Sequence, residues 1–222
     1  MARRLVLVSF QGCDKVFESL YDKVEVASST TKFDKGTTVL FEGGTDVNPI
    51  LYGEKRSRFT GSPDRERDAY EASIFHRAHK EGASFIGICR GAQLLTVLSG
   101  GKLIQDVTGH GNNHEILCVG GPELWVTSTH HQMCNPAASL DPHRDFLIIG
   151  WSKTPKSLRY SGEDDKPVAP PDVEPEIIWY PRTRSLAIQG HPEYLDQTAP
   201  FARYSRYLVG KFIFNQSRDF LE

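Results

Sequence analysis

The stretch FIGICRGAQLL, residues 85–95, sets Cys89 between Gly87 and Gly91, after an apolar run and before a helical one. G-x-C-x-G at a strand-to-helix turn is the cysteine form of the nucleophile elbow. In such a turn the residues two before and two after the nucleophile approach each other, so both must be small. The turn places Cys89 at the N-terminus of the next helix, where free N–H groups and the helix dipole favour negative charge. The N–H of Arg90 then points to where an oxyanion would form.

A cysteine nucleophile needs a base, and the base needs an orienting group. Of eight histidines, one follows an apolar run, in SLAIQGHPEY, residues 185–194. Residues two apart on an extended chain share a side, and proline biases the residue before it toward extended conformations. His191 and Glu193 are therefore expected to face one direction, with Glu193 accepting the second ring N–H of His191. A Cys-His-Glu set of this kind attacks carbonyl groups.

The elements that must carry these groups alternate. RLVLVSF (4–10), TTVLFEGG (37–44) and SFIGIC (84–89) read as strands buried on both faces. PDRERDAYEASIFHRAHKEG (63–82) and GAQLLTVLSG (91–100) read as helices with proline or aspartate at the start and glycine at the end. Strand and helix in alternation predict an α/β fold with a mostly parallel central sheet flanked by helices. After residue 101, six short strand-like runs (KLIQDV, EILCVG, LWVTSTH, FLIIGWS, EIIWYP, SLAIQGH) predict added antiparallel strands. Residues 199–215 read as a closing amphipathic helix whose Phe201, Tyr204, Tyr207, Leu208, Phe212 and Phe214 pack into the core or form a homodimer contact. Residues 154–175, rich in proline and acid, read as an exposed loop that could border the site.

The bulk numbers bound the function. A chain of 222 residues suits one domain, 1–222, and 39% hydrophobic content suffices for a packed core. A net charge of −2 gives no basic surplus for a nucleic-acid backbone. No apolar run reaches the roughly 18 residues of a membrane span, and MARRLVLVSF is too short for a signal peptide, so a cytoplasmic protein is expected. Cys13, Cys89, Cys118 and Cys134 form no CxxC pair and are expected to be free thiols. His110 and His114 are four apart, a zinc spacing on a helix, but Gly109, Gly111, Asn112 and Asn113 argue against a helix there. GGTDVNP lacks the G-K-[ST] of a phosphate loop. No metal and no cofactor are expected.

GICRGAQLL followed about a hundred residues later by QGHPEY resembles the class I glutamine amidotransferase superfamily, which uses a Cys-His-Glu triad in that chain order. FEGGTDVNPILYGE (41–54), DRERDAYE (64–71), GGKLIQDV (100–107) and STHHQ (128–132) are similar to the γ-glutamyl-γ-aminobutyrate hydrolase branch, of the peptidase C26 type. The resemblance covers roughly residues 37–196 and implies a flavodoxin-like fold. It also implies Cys89, His191 and Glu193 as the catalytic triad, Arg90 and Gly44 as oxyanion donors, and Gly43, Gln93, Ser128 and His131 as substrate contacts. Three departures bear on the substrate beyond the glutamyl group. The 154–175 segment is long, VTSTHHQ stands where relatives carry VNSYHHQ, and LLTVLSGG lacks an asparagine frequent after the leucines.

The resemblance implies a cysteine hydrolase that cleaves the amide of a γ-glutamyl amine or of glutamine through a thioester. One alternative is a glutaminase subunit that feeds ammonia to a separate synthetase partner. A second is a non-catalytic binding module on the same fold.

Overall fold

The computed structural model describes residues 2–9 and 12–216. In chain order, and among the described residues, the elements are β1 (Arg4–Leu7), β2 (Lys23–Val26), β3 (Thr37–Phe41), α1 (Arg65–Lys80), β4 (Ser84–Ile88), α2 (Arg90–Leu98), β5 (Lys102–Ile104), β6 (Asp106–Val107), β7 (His114–Cys118), β8 (Glu123–Val126), β9 (Met133–Asn135), β10 (Leu147–Ser152), β11 (Tyr160–Ser161), β12 (Pro175–Tyr180), β13 (Ser185–Ile188) and α3 (Pro200–Leu208). Nine strands form one sheet in the order β2-β1-β3-β4-β13-β12-β10-β7-β8. From β2 to β13 every neighbour is parallel; from β13 to β8 every neighbour is antiparallel. This is the expected mostly parallel centre with an antiparallel extension.

Alternation along the central strands divides the core. Leu5 and Leu7 of β1, with Ile86 and Ile88 of β4, pack on the face covered by Phe201, Tyr204 and Leu208 of α3. Val6 and Phe85 point to the other face, against Ile74 and Phe75 of α1 and Leu94 and Leu95 of α2. Burial on both faces is why these strands read as unbroken apolar runs. Helix α1 starts at Asp64, whose Oδ1 accepts from the N–H of Arg67 at 3.0 Å. The closing helix continues past α3 as a π turn over Val209–Ile213, with Tyr207, Phe212 and Phe214 only partly buried against the core. All four cysteines are free and buried. No helix among the described residues is long and apolar enough to cross a membrane.

The 154–175 segment, expected as an exposed loop, has many exposed residues but is tied down at several points. β11 pairs with β6, and Asp165 Oδ1 accepts from Ser57 Oγ at 2.7 Å. Buried Glu174 accepts from the N–H groups of Lys156 and Ser157 at 2.7 and 2.8 Å. Only parts of it, such as Leu158, stand fully in solvent. Hydrogen bonds, several to residues distant in sequence, order a stretch too polar to signal structure by periodicity.

One buried charge network ties helix to elbow. Arg90, 1% exposed, donates through Nη2 to Asp68 Oδ1 at 2.5 Å and through Nη1 to Glu71. Arg67 Nε donates to the other oxygen of Glu71 at 2.8 Å, and Arg67 Nη2 donates to the Gly43 carbonyl at 2.9 Å. Two cations and two carboxylates thereby fix α1, the start of α2 and the loop after β3. Removing one partner of a buried pair leaves an uncompensated charge. Arg90→Met is expected to lower stability by about 3–5 kcal/mol, read as a shifted urea midpoint. Gly91→Ala is expected to cost about 1–3 kcal/mol by overpacking, because its Cβ would lie 2.1 Å from the Phe41 carbonyl oxygen.

Candidate active site

Three adjacent parallel strands end side by side. β3 runs into Gly43-Gly44, β4 into Cys89 and β13 into His191. Gly87 of β4 pairs with Phe41 of β3, and Ile88 pairs with Ile188 of β13. The C-terminal edge of a parallel sheet is where α/β folds place ligands.

Cys89 precedes α2 with φ 52° and ψ −108°. A non-glycine residue at such angles costs about 1–3 kcal/mol and persists only where its surroundings impose it. Here they do. The N–H of Cys89 donates to the Ile188 carbonyl at 2.9 Å, and its carbonyl accepts from Gln93 N–H at 3.1 Å. A Cβ on Gly87 would lie 2.4 Å from the Gly91 carbonyl oxygen, so the crowding expected of the elbow is present.

His191 caps a short 3-10 turn, Pro192–Tyr194, rather than continuing an extended strand. The two-residue alternation anticipated for His191 and Glu193 is therefore replaced by a turn that closes on itself. The result is the same pairing: His191 Nδ1 lies 2.7 Å from Glu193 Oε1. His191 Nε2 lies 3.0 Å from Thr129 Oγ1, and His191 and Cys89 line one pocket. Tyr194 stacks parallel on the imidazole, 4.4 Å between centroids. Burial alone would lower the His191 pKa, but the hydrogen bonds and charges of Cys89 and Glu193 outweigh it and raise it to about 9.

Cys13 is the residue that sequence reasoning did not place. Its thiol donates to Glu193 Oε1 at 3.3 Å, and its own N–H donates to Glu42 Oε1 at 3.0 Å. Burial, then the charges of Glu193 and Glu42, push this thiol far above its ordinary range. Cys13 thus stays protonated as a donor to Glu193. QGCD carries no spacing that would have signalled this role.

A pocket of about 290 Å³ opens over Cys89, lined by Gly43, Gly44, Gln93, His131 and Tyr194 among others. Gly43 faces the reacting groups: a Cβ there would lie 3.2 Å from His191 Cε1 and 3.8 Å from Cys89 Cβ. Gly44 adopts φ +147°, and a Cβ there would meet Arg67 Nη1 at 2.1 Å. The Arg90 side chain turns away from the pocket to Asp68 and Glu71, which leaves its backbone N–H, the first of α2, for the elbow. Gln93 reaches the pocket but spends its Nε2 on the Gln132 carbonyl at 2.9 Å. His131 lies between Asp46 Oδ1 at 3.1 Å and Asp106 Oδ1 at 3.2 Å. Ser128 is a correction: it is buried, its hydroxyl donates to the His110 carbonyl, and it does not line the pocket. Thr129, its neighbour, is the residue of that segment that contacts His191. A thiol, an imidazole, a carboxylate and adjacent backbone N–H groups can together carry acyl transfer through a covalent intermediate.

The sequence profile of the Peptidase C26 family matches residues 11–118. The glutamine amidotransferase-like protein YvdE of Lactococcus lactis subsp. lactis is 35% identical over 182 residues, 81% of this chain and 75% of that protein. A glutamine amidotransferase from Thermotoga maritima has a similar fold, with TM-score 0.58 and 13% identity over 95% of this chain and 83% of that one. The glutaminase domain of CTPS from Trypanosoma brucei, solved with bound acivicin, gives TM-score 0.55 and 10% identity over 99% and 96%. With the fold, the elbow and a relative matched along three quarters of its length, the chain belongs to the class I glutamine amidotransferase-like superfamily.

Proposed function

We propose that this chain is a cysteine hydrolase of γ-glutamyl amide bonds. The observation that carries the reading is the junction of Cys89, His191 and Glu193 at one sheet edge, with Gly43 across the pocket. The Cys89 sulfur attacks the γ-carbonyl carbon while its proton resides on His191. The N–H groups of Arg90 and Gly44 hold the oxyanion, each such donor being worth about 10²–10³ in rate. His191 gives the proton to the departing nitrogen as the C–N bond breaks. Water, deprotonated by His191, then attacks the thioester, and glutamate leaves as the C–S bond breaks. Glu193 orients His191, and Cys13 orients Glu193. Each step closes with the side chains present and a water.

The leaving amine decides between a stand-alone γ-glutamyl-amine hydrolase and a glutaminase subunit that hands ammonia to a synthetase. Glutamate release from a panel of γ-glutamyl amines and from glutamine tests both. Release from a γ-glutamyl amine, with little from glutamine, is the expected outcome. Release from glutamine alone transfers the assignment to the ammonia-supplying role, and no release dependent on Cys89 removes the hydrolase reading. Cys89→Ala is expected to lower kcat by at least about 10⁴-fold.

The His191 value near 9 predicts a kcat/KM profile with an alkaline limb at about pH 9, where the general acid loses its proton. Glu193→Gln removes a charge that raises this value, so the limb is expected to move to lower pH and the rate to fall about 10²–10⁴-fold. The sign for stability follows the same direction. The raised value contributes stability that is fully present below the ordinary 6.5 and lost as pH rises through about 9. Denaturation midpoints across that window check it, with Glu193→Gln flattening the slope.

A further inference from the structure

Behind the Thr129 segment lies a second cluster that the hydrolysis does not use. His110, from the loop before β7, His130, after β8, and Glu176, on β12, bring one ligand atom each within 4.8 Å of one another, all buried. His110 Nδ1 lies 3.0 Å and His130 Nε2 3.6 Å from Glu176 Oε1. The edge of a tetrahedron with bonds of about 2.0–2.1 Å is about 3.3 Å, so these separations suit ligands around one zinc ion. The His110 and His114 spacing suits a zinc site only on a helix, and neither residue is helical. Strand pairing across the chain brings the donors together instead.

The hydrogen bonds present leave four polar atoms of this cluster without a partner in hydrogen-bond geometry. His130 Nδ1 faces the Gln132 carbonyl at 2.9 Å and must carry a proton to bond it. In the neutral ring Nε2 is then a lone pair, and it points at a carboxylate with no hydrogen-bond partner. Neither ring nitrogen of His110 has a partner in hydrogen-bond geometry, and neither has Glu176 Oε2, all buried. Buried lone pairs facing a carboxylate repel, so either a proton on the His110 ring, held between Glu174 and Glu176, or a bound cation must sit between them.

The surroundings have the form of a metal's outer shell. His110 Nε2 lies 3.2 Å from Glu174 Oε2, and His130 Nδ1 is held by a backbone carbonyl. These are the two usual partners for the far nitrogen of a metal-bound imidazole. His114 Nε2 lies 3.1 Å from Glu176 Oε1 and orients that carboxylate. Glu174 and Glu176 supply two negative charges, which a divalent ion balances with both ligand imidazoles neutral. Two imidazoles and a carboxylate form a donor set suited to zinc.

We propose that His110, His130 and Glu176 bind one zinc ion, with Glu174 and His114 as its outer partners. The ion pins the 127–132 segment, and with it Thr129 beside His191, so its role is to hold the site rather than to react. This inference is independent of the hydrolase reading.

The test uses the full chain carrying Cys89→Ala, so that the active-site thiol cannot capture metal. Protein made with zinc in the medium, then dialysed against a weak chelator, is expected to hold about one zinc per chain by elemental analysis. Refolded with cobalt, it is expected to show the visible bands of a four-coordinate site. His110→Gln with His130→Gln is expected to lower metal content at least about 10-fold, and Glu174→Gln, which keeps all three ligands, to weaken affinity about 10–100-fold. Exposed His143→Gln should change nothing. Folded protein that holds under a tenth of an equivalent, with the same melting temperature after refolding in zinc or in chelator, overturns the proposal. So does metal that survives the His110 and His130 changes.

Discussion

The fold turns on the absence of two side chains around Cys89. The backbone there has a positive φ that a cysteine adopts only under compulsion. Gly87 and Gly91 let the strand, the turn and the first turn of α2 occupy the same few ångströms, and Gly91 also lets α2 settle against the Phe41 carbonyl. The distance between β3, β4 and α2 is therefore set at Cys89 itself. A larger residue at either glycine would separate the elements that line the pocket.

A second constraint keeps that arrangement in register. Arg90 follows the nucleophile directly, yet its guanidinium is spent on Asp68 and Glu71 of α1. Arg67, one turn before Glu71, reaches back to Gly43. The elbow and the glycine loop are thus fastened to one helix through a single neutral network. The arrangement resembles a clamp whose jaws hold the two sides of the pocket at fixed separation. A buried pair of this kind adds little net stability over an apolar replacement, so its value here is positional.

Much of this was legible in the sequence. Apolar runs marked the central strands because both their faces are covered, and the elbow and HPE segments pointed to Cys89 and His191, which the fold brings to one pocket. The illegible parts have physical reasons too. Cys13 reaches Glu193 through a loop whose path depends on Glu42, and no local pattern encodes a contact 180 residues away. Ser128 and Thr129 are adjacent in a segment without periodicity, so sequence could not say which would face the pocket. β11 is two residues long and exists only by pairing with β6. Strand β2, KVEV, alternates strictly but over only four residues, too few to mark a sheet edge.

The sheet's change from parallel to antiparallel at β13 has a consequence for the order of folding. β13 can join β12 early through a short hairpin, since Tyr180 pairs with Ser185. Its other edge must find β4 across the chain, with Ile88 opposite Ile188. Closing so long a loop is entropically slow and comes late among the contacts of a mixed fold. Cys89 and His191 lie on the two sides of that seam. The pocket that holds both residues would therefore form last on refolding, after most of the secondary structure, and its appearance would time the closing of the sheet.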